Sequence, residues 1–307
     1  MSRSRLFSLG QVLVVSLILF FWGRALAENW RTFVTYPWQF HWGYLLLSFG
    51  LLILEILTAA SIWWRALALV GNRIPWLLGM QLFFRAQIAR YLPGGVWDMV
   101  GRFVLGSQAG VGKRSMAASM GLEMGVQVLS GSMFLLLALA LRSDLETRAY
   151  FGLGLGIVAG AMLFLSPPVF TFFVNTLLNL LKKPRLDMDL TYGGIFQLFL
   201  MRLFGHLLMG LGFACLVLGV SSTPVGQIPL LTAAFVGAWL IGYLAVFIPM
   251  GVGVREGMLV LLTGGFLPFS VATVAGVGYR LLIAIRDLAI AGAGVVLSRR
   301  FIRTGRG

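Results

Sequence analysis

Apolar residues in this chain come in long unbroken runs rather than in the alternating or one-faced patterns of soluble strands and helices. Residues 9–21, 44–54, 149–165 and 225–247 approach or reach the ~20 apolar positions needed to cross a hydrocarbon core of ~30 Å. Backbone polar groups find no water there, so spanning segments satisfy them internally as helices; closed barrels show a weaker, alternating signal. The pattern predicts an all-α polytopic helical membrane protein of about eight transmembrane spans, near residues 8–27, 43–63, 117–141, 149–181, 194–219, 227–248, 257–268 and 269–298. One integral membrane domain is expected over 1–307, with halves at 1–150 and 151–307 and no soluble catalytic domain. The first stretch has Arg3 and Arg5 ahead of an apolar run and Ala25-Leu26-Ala27 behind it, which resembles a signal peptide. A polytopic chain needs a first helix, so this one is expected to stay uncleaved.

Two stretches fit no plain span. Residues 74–112 are apolar enough to enter the membrane yet carry Arg85, Arg90, Asp98 and Arg102 around Pro93-Gly94-Gly95, which predicts a hairpin re-entering from the cytoplasmic face. Irregular backbone at membrane depth is tolerated where protein buries it or where it lines a wet cavity. The second is 247–268, where Pro249, Gly251, Gly253, Gly257, Gly264, Gly265 and Pro268 interrupt an apolar segment holding Arg255 and Glu256. It predicts a half-helix from Gly257. The two breaks resemble each other, Tyr91-Leu92-Pro93-Gly94-Gly95-Val96 against Phe247-Ile248-Pro249-Met250-Gly251-Val252, at an offset of 156 residues. Paired interruptions at corresponding places in two halves point to a transporter's binding site, and an internal repeat is expected. Both breaks are expected on the cytoplasmic side, which leaves the hand of the repeat open.

Composition changes the picture only by excluding alternatives. At 59% hydrophobic and 11% charged, the chain is far from the ~25% charged residues of soluble domains. A net charge of +14 suggests nucleic acid at first sight, but the 24 basic residues are dispersed among short membrane-flanking loops, so no nucleic acid is expected as a partner. With the N-terminus in the cytoplasm, 17 of them fall on that side, 4 opposite, and Arg202, Arg280 and Arg286 within spans. The positive-inside rule then predicts a multi-pass protein of the cell (inner or plasma) membrane with both termini cytoplasmic. One cysteine, Cys215, and two distant histidines, His41 and His206, offer neither a disulfide framework nor metal ligands, and no metal or cofactor is expected.

Several features read as structure. Gly110-Val111-Gly112-Lys113-Arg114 has the outline of a phosphate loop, but Ser107 and Arg114 stand where Gly and Ser/Thr are required. Asp187-Met188-Asp189 is expected in a solvated loop. Gly152, Gly156 and Gly160 form a stripe expected to let helices approach closely, and His206 is expected to be a satisfied interhelical hydrogen-bonder. Glu55 and Arg202 read as packing or interfacial partners. Arg65, Arg73, Lys113 and Arg114 read as topology determinants that meet anionic lipid at the surface.

The remaining charges carry the chemistry. Arg90, Arg102, Arg255 and Arg280 suit the phosphate of a lipid head group, because guanidinium offers planar paired donors and stays charged. Glycines beside Pro93 and Pro249 leave N–H groups free at half-helix starts, where the helix dipole favours an anion. A buried ionisable group costs at least ~2.5–3.5 kcal/mol at the bilayer centre, so each is retained for use or for pairing. Pairing is expected for Arg286 and Asp287; Arg255 and Glu256 either pair or serve a ligand, and Glu123 is either a proton-coupling carboxylate or an arginine's counter-ion.

The blocks Arg90-Tyr91-Leu92-Pro93-Gly94-Gly95-Val96-Trp97, Gly101-Arg102, Glu123, Pro249-x-Gly251-x-Gly253-Val254-Arg255-Glu256-Gly257 and Tyr279-Arg280-Leu281-Leu282 resemble the lysylphosphatidylglycerol synthase transmembrane-region family. That family includes the flippase-like membrane domain of MprF proteins, stand-alone YbhN-like proteins and the membrane part of some dolichol-phosphate glycosyltransferases. Met250 departs from it, standing where relatives usually have glycine, and, unlike the members that synthesise aminoacyl-lipids or transfer sugars, this chain is expected to carry no fused synthetic domain. The resemblance implies a lipid flippase or transporter, not an enzyme, handling an anionic or lipid-linked substrate such as a phospholipid or polyprenyl phosphate. It implies substrate contacts from Arg90, Pro93, Gly94, Gly95, Arg102, Glu123, Pro249, Gly251, Gly253, Arg255, Glu256 and Arg280. The alternative is an accessory subunit whose partner is a separate lipid-modifying enzyme or glycosyltransferase. No repeated carbonyl filter or ring of like charges supports an ion channel.

Overall fold

Long apolar runs with no water to bond fold as helices, and helices alone make up the regular structure of the described residues. The computed structural model describes residues 27, 30–91, 97–141, 145–245, 251 and 253–304. The helices are α1 (Trp30–Thr35), α2 (Trp42–Leu69), α3 (Trp76–Gln87), α4 (Trp97–Gln108), α5 (Lys113–Ala140), α6 (Leu145–Leu165), α7 (Pro167–Leu180), α8 (Tyr192–Val220), α9 (Ile228–Leu244), α10 (Val254–Thr263) and α11 (Phe269–Thr304). Among the described residues, five segments are long and apolar enough to cross a membrane: α2, α5, α8, Val225–Leu244 and Phe269–Ile290. The span expected at 8–27 lies outside the described residues. The one expected at 149–181 is two helices, bent by 72° at the α6–α7 junction. Pro167 and Pro168 cause the break, since neither can donate to the preceding turn, and Ser166 bonds back to the Leu163 carbonyl at 2.7 Å.

Basic loops gather at one end of the bundle. The Asn72 turn after α2 meets Gly112 before α5, and Arg114 donates to the carbonyls of Pro184 and Arg185 at 2.6 and 3.0 Å. Arg114 is therefore a loop fastener as well as a basic flank. Asp187 and Asp189 are exposed, as expected, and the Arg73–Asp189 contact at 3.7 Å is too exposed to contribute much. At the opposite end, Gln39 and His41 donate to the carbonyls of Val220 and Gly219, joining the start of α2 to the end of α8.

The two broken segments form hairpins that open toward opposite ends. α3 and α4, at twelve residues each, reach only about 18 Å. They leave from and return to the basic end, packed closely at Gly101 against Ala86. α9 starts at the opposite end and descends beside α5, with Gly131 against Leu240 and Gly237 against Leu135. α10, ten residues or about 15 Å, climbs back, its Leu259 facing Gly276 of α11. The two hairpins thus join opposite ends of the bundle, and Arg255 lies in the first turn of α10 rather than in a basic loop. Tertiary contacts decide this, because the α9–α10 turn carries no loop charge other than Arg255 itself.

Close backbone crossings fix the tip. Gly251, at φ +61°, lies so near Gly242 that a Cβ would sit 2.5 Å from its carbonyl oxygen, and a Cβ on Gly242 would meet that of Arg255 at 2.9 Å. Gly253, at φ +85°, turns the chain into α10. The expected glycine stripe fails: Gly152, Gly156 and Gly160 are exposed with nothing of this chain within 4 Å of an added Cβ, while Gly154, one face round, meets Leu136. A contrast follows. Gly210→Ala would drive its Cβ to 2.7 Å from the Thr232 carbonyl oxygen, wedging α8 from α9 at a cost of about 1–3 kcal/mol. Its unfolding midpoint in detergent should fall, and that of Gly156→Ala should not.

Candidate functional site

Helix lengths put the interior charges at depth. Glu123 lies ten residues into α5 and Arg202 ten into α8, each about 15 Å from the basic end. Charges at that depth must be paired or used. Glu123 takes a hydrogen bond from Arg102 of α4 at 2.7 Å and a longer one from Arg202 at 3.4 Å. Arg102 is further held over the rings of Phe83 and Trp63, at 4.9 and 5.6 Å. Glu123 is thus a counter-ion to two arginines.

A second group ties α11 to the first half. Arg286 donates to Glu55 of α2 at 2.6 Å, to Asp287 at 2.8 and 3.0 Å, and to the Leu52 carbonyl at 3.3 Å. Asp287, fully buried, also meets Arg90, which follows α3, at 3.3 Å. Asp98 lies 3.9 Å from Arg90, and the buried Gln87 accepts from both terminal nitrogens of Arg90 at 3.2 Å when its amide oxygen faces them. Pairing of Arg286 with Asp287 is as expected. Glu55 and Arg202 are more than packing or interfacial partners: both are buried members of ion pairs that join the two halves.

The third group sits at the α9–α10 tip. Glu256 accepts from the Gly253 backbone N–H at 2.8 Å, capping α10, and pairs with Arg280 of α11 at 2.7 Å. The partner of Glu256 is therefore Arg280 and not its neighbour in sequence. Arg255 is 9% exposed, has no carboxylate within 4 Å among the described residues, and leaves one terminal guanidinium nitrogen without a hydrogen bond. Its guanidinium stacks over Phe235 at 4.5 Å, an interaction of about 2 kcal/mol when desolvated. That offsets only part of the cost of an unpaired buried cation.

Of the residues expected to bind substrate, Arg90, Arg102, Glu123, Gly251, Gly253, Arg255, Glu256 and Arg280 converge around the hairpins, whereas Pro93, Gly94, Gly95 and Pro249 lie outside the described residues. His206 is half satisfied: Nδ1 meets the Ser130 hydroxyl at 3.0 Å, but buried Nε2 has no hydrogen bond and the ring lies against Trp239 at 5.4 Å. Tyr279 was read only as part of a motif, yet its hydroxyl donates to the Met209 carbonyl at 2.6 Å and its ring meets Phe235 edge-on, under Arg255. No group of three or more possible metal ligands occurs among the described residues. Two grooves lie away from the charges, one of about 430 Å³ among apolar side chains of α5, α6 and α8, the other of about 540 Å³ along α7 beside Asn175, Asn179 and Arg185.

Comparison with curated proteins gave no match. The family model described as Lysylphosphatidylglycerol synthase TM region matches residues 8–291, nearly the whole chain. Several apolar spans, broken helices and an arginine–carboxylate interior thus belong to a multi-pass membrane protein connected with lipid handling, and the chain is a member of the lysylphosphatidylglycerol synthase transmembrane-region family.

Proposed function

We propose that the protein is a lipid flippase or transporter, which carries a phosphate-bearing lipid head group past the tips of its two hairpins while the acyl chains stay in the bilayer. It breaks no covalent bond in this reading. The single observation that carries it is Arg255, a buried cation without a carboxylate at a mid-depth break in the helical frame. Hairpins opening to opposite ends supply two half-paths that meet there, as in transporters built from inverted repeats, and the likeness of 91–96 to 247–252 extends that reading to an inverted repeat over about eight spans. The basic end, with Arg73, Lys113, Arg114, Lys182 and Lys183, is assigned to the cytoplasm of a cell membrane, together with both chain termini.

The test is reconstitution in liposomes with fluorescent phospholipids and polyprenyl phosphates, followed by quenching of the outer leaflet. Wild-type protein should translocate at least one of them, and Arg255→Ala, checked for an unchanged unfolding midpoint, should slow it about tenfold or more. Equal rates in both, or none in either, would overturn the proposal. The rival reading, an accessory subunit for a separate lipid-modifying enzyme, would be favoured by a stoichiometric transferase on purification and by lipid modification lost on deletion with transport intact.

A further inference from the structure

A buried base sits one turn beyond an ion pair and takes no part in it. His206 is 1% exposed at the joint of α5, α8 and α9. Its Nδ1 shares a hydrogen bond with the Ser130 hydroxyl at 3.0 Å, and its ring packs against Phe134 and Trp239, with centroids at 6.2 and 5.4 Å. Nε2 is buried and has no hydrogen-bond partner among the described residues. Arg202 lies four residues earlier on the same face of α8, and among the described residues it is the charge that bears on the ring. The charged groups on the helices packed around α8 are paired with one another: Glu123 of α5 holds Arg102 and Arg202, Glu55 of α2 holds Arg286, and Asp287 of α11 holds Arg286 and Arg90. Of the tyrosines there, Tyr279 gives its hydroxyl to the Met209 carbonyl, and Tyr243 of α9 stacks on Trp239 at 5.2 Å.

We propose that His206 is a proton-binding site, and that the proton it takes up displaces Arg202 from Glu123. An imidazolium donates from both ring nitrogens. Nδ1–H keeps the Ser130 hydroxyl, and Nε2–H, now without a partner, calls for an acceptor. The carboxylate in line is Glu123, seven residues before Ser130 and so on the same face of α5. Of the two arginines on Glu123, Arg102 is held at 2.7 Å and Arg202 at 3.4 Å, so Arg202 is the one that yields. Two cations one helical turn apart repel each other, and a carboxylate already held by Arg102 takes one more at a time. The exchange keeps the number of cations on Glu123 at two: a proton arrives at His206, a guanidinium leaves, and Arg102 stays. Arg202 is released into the interior only when the proton is bound, which links proton uptake to the fit of α8 against α5. The inference holds whatever the protein carries.

The experiment follows the ring signals of the histidine-labelled full chain in detergent micelles by NMR as pH is varied. The sequence has two histidines, so the exposed His41 serves as internal reference and His206→Gln assigns the other signal. Wild type should show a neutral His206 ring at pH 7. Arg202→Met removes the competing cation and should tighten proton binding at His206 at least tenfold, while Arg202→Lys should leave it within threefold of wild type. Adding Glu123→Gln to Arg202→Met should bring proton binding back to within threefold of wild type, because the imidazolium then finds no carboxylate; the amide still offers Arg102 an acceptor. His41 should titrate alike in all of them. A charged ring in wild type at pH 7, or a gain below tenfold in Arg202→Met, would show that proton and guanidinium do not compete, and the proposal fails. A gain that survives Glu123→Gln would mean that lost repulsion alone explains it, and the exchange onto Glu123 is wrong. Unfolding midpoints check that each variant is folded, and Arg202→Gln replaces Arg202→Met, with the same expected gain, if the latter is not.

Discussion

Replacing Glu123 by alanine is expected to destabilise the protein by about 3–5 kcal/mol, the cost of removing one partner of a buried ion pair and leaving the other charge behind. Two charges are left behind here. Arg102 would keep its contacts with Phe83 and Trp63, but Arg202 has no other carboxylate within 4 Å among the described residues, and the Nε atoms of both are already without a hydrogen bond. The unfolding midpoint in detergent should fall sharply, and Arg202→Met added to Glu123→Ala should recover more of it than Arg102→Met does. Near-native stability of the single variant would mean that water or lipid, not Glu123, neutralises these arginines.

Arg286→Met is the second large effect, again about 3–5 kcal/mol by the same mechanism. Arg286 is the one side chain that holds Glu55, Asp287 and the Leu52 carbonyl together, and so fastens α11 to α2. Asp287 would keep Arg90 at 3.3 Å, but Glu55 would lose the one arginine within 4 Å of it among the described residues. Adding Glu55→Gln to Arg286→Met should therefore restore much of the loss. Arg286→Lys should not, since a point charge on a flexible stem cannot reproduce the planar fork that reaches three acceptors. A double-mutant cycle read from unfolding midpoints measures the coupling. A lysine variant as stable as wild type would show that charge alone, not the geometry of the guanidinium, holds this joint.

Parts of the site could be read before any coordinates. Arg90, Arg102, Arg255, Arg280 and Arg286 declare themselves because a charge inside an apolar run is costly and is kept for a reason. Glu55 and Arg202 carry the same signal and were still read as packing or interfacial partners, because a lone charge does not name its partner. Glu123 pairs across 79 positions with Arg202, and Glu55 across 231 with Arg286, distances over which no periodicity connects residues. Arg255 beside Glu256 shows the converse error: neighbours in sequence point to different sides of a helix, so Glu256 turns to Arg280 and Arg255 to Phe235.

Hydropathy by itself determined that the chain is helical and lives in lipid, since a long apolar run has only one backbone solution where water is absent. Pro and Gly spacing likewise marked the break at Gly251 and Gly253, where positive φ requires glycine, but the bend at Pro167 and Pro168 was read as part of one span. Which way each hairpin opens, which arginine meets which carboxylate, and which one is left over were decided only by tertiary structure. Those outcomes depend on approaches between distant helices, such as Gly242 against Gly251 and α2 against α11, and on a charge balance that exists only once the helices are packed.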